Sequence, residues 1–70
     1  MKFLTIEAKE GEALKLRDVL AEMNISDLVT NITAGYWIGG FHSAAMAYSV
    51  QLAIDLQAGS QVSGLKFEIN

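Results

Sequence analysis

The chain has 70 residues, no cysteine, one histidine and a formal net charge of −3 at pH 7. A chain of this length is expected to form a single domain, residues 1–70, with no disulfide or thiolate metal site and too few cations to bind nucleic acid. We expect a cytoplasmic protein, because the chain lacks cysteine and its N-terminal apolar run is too short for a signal peptide. We expect no cofactor.

The first third of the chain predicts a strand followed by a helix. Lys2–Ala8 alternates its side chains, with Leu4 and Ile6 on one face, which is typical of a half-buried strand. Glu10–Asn24 repeats apolar residues every three or four positions, which predicts an amphipathic helix. Asn24 is expected to end this helix in the left-handed conformation. The β–α start resembles that of many ferredoxin-like modules, and no motif in the chain identifies a family.

The next segment, Ser26–Ile38, has two interpretations. Leu28–Thr33 and Tyr36–Ile38 are rich in β-branched and aromatic residues and are separated by Ala34 and Gly35, which favours a β-hairpin. The alternative is a short helix capped by the first serine of the segment.

Gly39 and Gly40 are expected to interrupt the chain before a second helix, Phe41–Gln57. A polar linker, Gly59–Gly64, then leads to a final strand, Leu65–Ile69. The predicted fold class is α+β, a small two-layer domain of order β-α-(β-hairpin)-α-β. Its two helices would pack on one face of a short, mainly antiparallel sheet. The first and last strands could be neighbours, but the pattern leaves the strand order open.

The stretch from Leu28 to Ile54 contains 27 residues without Asp, Glu, Lys or Arg. Hydrophobic residues make up 51% of the chain and charged residues only 19%. Such a segment must be covered by a core, a partner or a membrane. A membrane is the least favoured of the three, because Asn31, His42 and Gln51 dilute the hydropathy and no Lys or Arg flanks the stretch.

The predicted second helix has two apolar arcs rather than one. At about 100° per residue its apolar side chains divide into two sets, one with Phe41, Ala45, Leu52 and Leu56 and the other with Ala47, Val50 and Ile54. Burying one arc against the sheet would leave the other exposed, which is typical of an interaction site. We therefore expect an interface between copies of the chain, formed by Phe41, Ala45, Ala47, Val50, Leu52 and Ile54. The alternative is that the hairpin wraps the second arc and makes this helix a central core helix.

A second candidate site lies just before this helix. It consists of six residues, Tyr36, Trp37, Gly39, Gly40, His42 and Ser43. Glycines let a backbone approach a ligand, and free N–H groups at the start of a helix attract anions. A partner protein is another occupant, because exposed aromatic residues are enriched at interfaces. The simpler interpretation is an ordinary turn followed by a helix cap.

The same cluster does not predict hydrolytic chemistry. His42 and Ser43 are adjacent and diverge by about 100° on a helix, while Asp55 lies three turns away. We expect a non-enzymatic protein-interaction module that forms homo-oligomers and acts as an inhibitor or adaptor of another protein. The alternative is a small anion- or nucleotide-binding protein, with its pocket near Tyr36–Ser43 at a junction between subunits.

Overall fold

The structure is a computed structural model that describes residues 1–33 and 35–70. These described residues form four strands, two helices and one short 3₁₀ turn, Ser26–Leu28. In chain order the main elements are β1 (Lys2–Glu7), α1 (Ala13–Glu22), β2 (Val29–Ile32), β3 (Gly35–Phe41), α2 (Ala44–Ala58) and β4 (Lys66–Ile69).

The four strands form one sheet of order β2-β3-β1-β4, in which every pair of neighbours is antiparallel. Consequently β1 and β2 run parallel with β3 between them, and β3 and β4 run parallel with β1 between them. Each parallel pair is joined through a helix, so the chain consists of two interleaved split β-α-β units. This is the connectivity of ferredoxin-like domains.

The core lies between one sheet face and the two helices. Alternation along β1 turns Leu4 and Ile6 toward the helices, and both are fully buried. In the sheet, Ile69 of β4 lies beside Leu4, and Ile38 of β3 lies on its other side. The helices complete this core with Leu16, Val19 and Leu20 from α1 and Ala47, Ile54 and Ala58 from α2. The predicted two-layer α+β fold is therefore confirmed. The strand order, which the sequence pattern leaves open, has the first and last strands side by side.

The predicted hairpin is confirmed as β2 and β3, and the alternative short helix is present only as the 3₁₀ turn before it. Ala34, part of the predicted turn, lies outside the described residues. The predicted left-handed end of α1 is also confirmed, since Asn24 has a φ of 60°.

The prediction that Gly39 and Gly40 interrupt the chain is wrong. Both belong to β3, which continues to Phe41. The register with β1 shifts there, since Lys2 is paired with Phe41 and Phe3 with Gly39. Glycine does break helices, but in a strand it also permits a bulge of this kind, and Gly39 has a φ of 140° that few other residues adopt.

The predicted start of the second helix is also wrong, because strand β3 continues past the bulge. Helix α2 begins at Ala44 rather than at Phe41, because Phe41 is the last residue of β3. Ser43 caps the helix, and its Oγ accepts a hydrogen bond from the Met46 backbone N–H at 3.2 Å. This cap satisfies one of the N–H groups that the first turn of a helix leaves unpaired.

Replacing Ser43 with alanine is expected to destabilise the fold by about 1 kcal/mol, because the Met46 N–H loses its acceptor. Chemical denaturation followed by circular dichroism measures this loss. Ser60→Ala is the matched control, since Ser60 is exposed in the turn that follows α2. Equal stability of the two variants would contradict the capping role.

Glu12 joins the start of α1 to the loop before β4. Its Oε2 lies 3.1 Å from Lys15 Nζ, and its Oε1 accepts a hydrogen bond from the Ser63 backbone N–H at 3.2 Å. The hydrogen bond from Lys15, and after it the one from Ser63, hold the pKa of the Glu12 carboxyl below its ordinary value of 4.5.

This lowered pKa predicts a pH dependence of stability. Because the folded chain favours the charged carboxylate, the contribution of Glu12 is present above pH 4.5 and is lost as the pH falls through the lower pKa of the folded state. Thermal unfolding of the wild type and of Glu12→Gln tests this between neutral and strongly acidic pH. We expect the wild type to be the more stable at neutral pH and the difference to disappear in acid. A difference that stays constant with pH would contradict the assignment.

Candidate interaction surface

Helix α2 presents apolar side chains on two opposite sides. Its inner side faces the sheet, and Ala47, Ile54 and Ala58 are fully buried there. The opposite side carries Leu52, which is 51% exposed, and Leu56, which is 85% exposed. One apolar arc of this helix is therefore uncovered within the chain, as expected. The alternative, a hairpin wrapped around the second arc, is wrong because the hairpin lies in the sheet.

We define the outer face of α2 by the side chains that point away from the sheet. At about 100° per residue, five side chains of this arc define the face as the term is used below: Ala45, Tyr48, Ser49, Leu52 and Leu56. All five are exposed, and Tyr48 has about half of its surface in solvent. The face therefore combines three large apolar or aromatic side chains with two small ones.

The six residues predicted for an interface between copies fall into two groups, those in the core and those in solvent. Phe41, Ala47 and Ile54 are buried in the core and cannot contact a neighbour in the folded chain. Val50 is half-buried and packs against the core. Ala45 and Leu52 are exposed on the outer face. An interface on this helix stays a prediction, and of the six residues only Ala45 and Leu52 are placed to take part in it.

Two large residues of the outer face were missing from the predicted interface. Tyr48, Leu52 and Leu56 are spaced four residues apart, so they share one side of a helix. This spacing is the sequence pattern that identifies them. The helical periodicity places Leu56 on the correct arc but places Tyr48 among the polar residues between the two arcs.

The outer face of α2 is almost free of charge. Asp55 is the only Asp, Glu, Lys or Arg between Ala44 and Ala58. The outer side of α1 is different, because it is lined by Lys15, Arg17 and Asp18. Charged groups resist burial in an interface, so only α2 offers a helix surface that loses little by leaving water.

The sheet face away from the helices carries an aromatic pair. Phe3 of β1 and Trp37 of β3 have ring centroids 5.7 Å apart at an interplanar angle of 35°. Trp37 is 45% exposed, while its neighbour Tyr36 is buried on the other face, as alternation in a strand requires. Glu7 and Glu68 lie on this open face, close to Lys66. The open face is therefore apolar at its centre and carries more negative than positive charge toward β4.

The six residues of the predicted Tyr36–Ser43 site do not converge. Tyr36 lies on the helix side, where its hydroxyl donates to the Ala13 carbonyl at 3.0 Å, and Trp37 lies on the open side. Gly39 and Gly40 form the bulge at the far end of β3, whereas His42 and Ser43 are exposed in the link to α2. A cleft of about 550 Å³ beside the start of α1 includes Tyr36 and none of the other five.

Two other kinds of site are not found in the described part of the chain. Within residues 1–33 and 35–70, no three His, Asp or Glu side chains are grouped so that they could hold a metal ion. Over the same residues, no helix combines the length and the apolar character needed to cross a membrane.

We compared the chain with known protein families, curated proteins and solved structures and found no relative. No family model matches the chain, and neither does any curated protein or solved structure. Any function must therefore be inferred from the surfaces of this chain itself.

Proposed function

We propose that this chain is a non-enzymatic protein-interaction module that assembles with itself through the outer face of α2. The observation that carries the proposal is the exposure of Tyr48, Leu52 and Leu56 on a helix with a single charged residue. Large apolar side chains that share an uncharged exposed face are typical of interaction sites.

Burial of this face would stabilise an assembly substantially. Fully burying one leucine side chain contributes about 1.5–3 kcal/mol, and most of that gain is still available to Leu56 because it is largely in solvent. A standard interface takes about 800 Å² from each partner. The chain exposes 4521 Å² in total, so an interface of that size would use less than a fifth of its surface.

We propose further that the open sheet face contacts another protein, which would make the assembly an inhibitor or adaptor. The support is the half-exposed Trp37 ring against Phe3, since tryptophan is among the residues that contribute most to binding at interfaces. A nucleic-acid partner is disfavoured because Glu7 and Glu68 on this face would repel phosphate groups. The cytoplasmic location expected from the cysteine-free composition stays part of the proposal.

The non-enzymatic assignment and the absence of an anion pocket belong to the same proposal. The residues Tyr36–Ser43 are distributed over two sheet faces and a loop, so a ligand could not contact all of them within one copy. The Ser43 hydroxyl oxygen already accepts a hydrogen bond as the cap of α2. This arrangement favours a structural role for the segment over a catalytic one.

Static light scattering over a wide range of concentration, combined with tryptophan fluorescence, tests the self-assembly. We expect a mass that is a multiple of 7.6 kDa and that falls toward 7.6 kDa on dilution. Because Trp37 is the only tryptophan and lies on the opposite layer from α2, its emission maximum should not move during dissociation.

Two outcomes would contradict the proposal. A mass of 7.6 kDa at every concentration would exclude self-assembly. An oligomer whose Trp37 emission shifts to longer wavelength on dilution would instead assign the interface to the open sheet face.

A further inference from the structure

The outer face of α2 has a spacing that allows it to pair with itself. Its central residues, Ala45, Ser49, Leu52 and Leu56, follow one another at intervals of four, three and four. This is the spacing of the residues that line the seam of a two-helix coiled coil. The two small residues are in the first half of the helix, and the two leucines are in the second half.

This order of small and large residues distinguishes the two ways of pairing two α2 helices. In an antiparallel pair centred between Val50 and Gln51, Ala45 lies opposite Leu56 of the second copy and Ser49 lies opposite its Leu52. Every large side chain then faces a small one, so the helices stay evenly spaced along their length. A parallel pair would put Leu52 on Leu52 and Ala45 on Ala45, which leaves a gap at one end and poor packing.

The polar group at the centre of this pair has its hydrogen bond within its own helix. The Ser49 hydroxyl donates to the Ala45 carbonyl at 3.1 Å. Burying Ser49 against Leu52 of a second copy therefore leaves no unpaired donor, which would otherwise oppose the interface.

The flanks of the helix are also compatible with antiparallel pairing. Tyr48 and Asp55 lie on the same flank, two turns apart. Antiparallel packing brings like flanks together, which puts the Tyr48 hydroxyl of one copy near the Asp55 carboxylate of the other. The two Asp55 side chains are then separated by about nine residues of helix rise, roughly 13 Å, which is beyond the Debye length at physiological salt.

We propose that the occupant of the outer face of α2 is the same face of a second copy, packed antiparallel about a two-fold axis near Val50 and Gln51. This inference rests on the proposed self-assembly and adds the partner surface, the direction and the register. It predicts a dimer in which each Ala45 lies against a Leu56 and the two open sheet faces point outward.

Disulfide cross-linking tests the register without interference, because the natural chain has no cysteine. Ala45→Cys and Leu56→Cys are each made singly, at exposed positions where the fold tolerates the change. The two variants are oxidised separately and as an equimolar mixture. The matched control mixes Ala45→Cys with Gln57→Cys, since Gln57 is also exposed but lies about 100° around the helix from Leu56.

We expect cross-linked dimer to form readily in the first mixture, up to about half of the protein, because that is the statistical share of mixed pairs in a symmetric dimer. Each variant alone should cross-link at least about tenfold less, since equivalent positions lie roughly 16 Å apart in the antiparallel pair and a disulfide requires Cα atoms within about 7 Å. The control mixture should cross-link as little as the single variants.

The masses of the natural chain and of the unoxidised variants separate the three results that would contradict this expectation. If the variants are dimeric but each cross-links alone as readily as in the mixture, the helices are parallel and the register is wrong, while self-assembly stands. If they are dimeric and no combination cross-links, another surface forms the dimer and the inference is overturned. If the natural chain is itself monomeric at the same concentration, the proposed function has failed.

Discussion

Replacing Leu52 with aspartate is expected to convert the assembly into a folded monomer, whereas Ile54→Asp is expected to unfold the chain. The two residues are two positions apart on α2, but Leu52 is on the exposed outer face and Ile54 is fully buried against the sheet. An unpaired buried carboxylate costs several kcal/mol. A domain of this size has only about 4–10 kcal/mol of total stability, so the Ile54 variant should not fold.

Light scattering and circular dichroism of the same samples measure both effects. The matched control is Leu14→Asp, because Leu14 is also a largely exposed helical leucine, 63% in solvent, but belongs to α1. It should leave both the mass and the helical signal unchanged. If Leu52→Asp unfolded the chain, its position on the outer face would be wrong. If Leu14→Asp dissociated the assembly equally, the effect would not be specific to α2.

Gly35→Ala is expected to destabilise the fold by about 3 kcal/mol, because the added Cβ would overlap the Ile6 carbonyl oxygen. The same Cβ would lie 3.1 Å from Glu7 Cα, so the atoms in its way belong to the backbone of β1. Strand β1 is hydrogen-bonded on both sides and cannot move without disturbing its pairing with β3 and β4.

Chemical denaturation measures this change in the free energy of unfolding. Gly40→Ala is the matched control in the same strand, since the three atoms nearest to its added Cβ all belong to the exposed Met1 side chain rather than to the backbone of a central strand. We expect the control to lose less than about 1 kcal/mol. A Gly35 variant as stable as the control would mean that the two strands do not approach so closely.

The sequence predicts best the strands and the helix that bury only one side, because their apolar residues repeat with the period of the element. Alternation identified β1 and β4, and the three-four spacing of Leu16, Val19 and Leu20 identified α1. The start of α2 was not predictable in the same way, because a pair of glycines is compatible with both a chain break and a bulged strand. Only the pairing of Phe3 with Gly39 and of Lys2 with Phe41 distinguishes them.

The candidate site was predictable only in outline. Helical periodicity shows that α2 has two apolar arcs, but it does not specify which arc faces the sheet. The tertiary fold buries Ala47 and Ile54 and leaves Leu52 and Leu56 in solvent. Similarly, the alternation of Tyr36 and Trp37 predicted opposite faces, but not that Phe3 would lie beside the Trp37 ring, because that contact depends on the strand order.

An isotope-filtered NOE measurement on a mixture of labelled and unlabelled protein detects contacts between copies only, so it tests the pairing of two α2 helices directly. We expect intermolecular NOEs between the methyl groups of Leu56 and Ala45, and none to the ring of Trp37. Intermolecular NOEs confined to Trp37 and Phe3, or none at all at concentrations where the chain is oligomeric, would contradict the claim that the outer face of α2 binds a second copy.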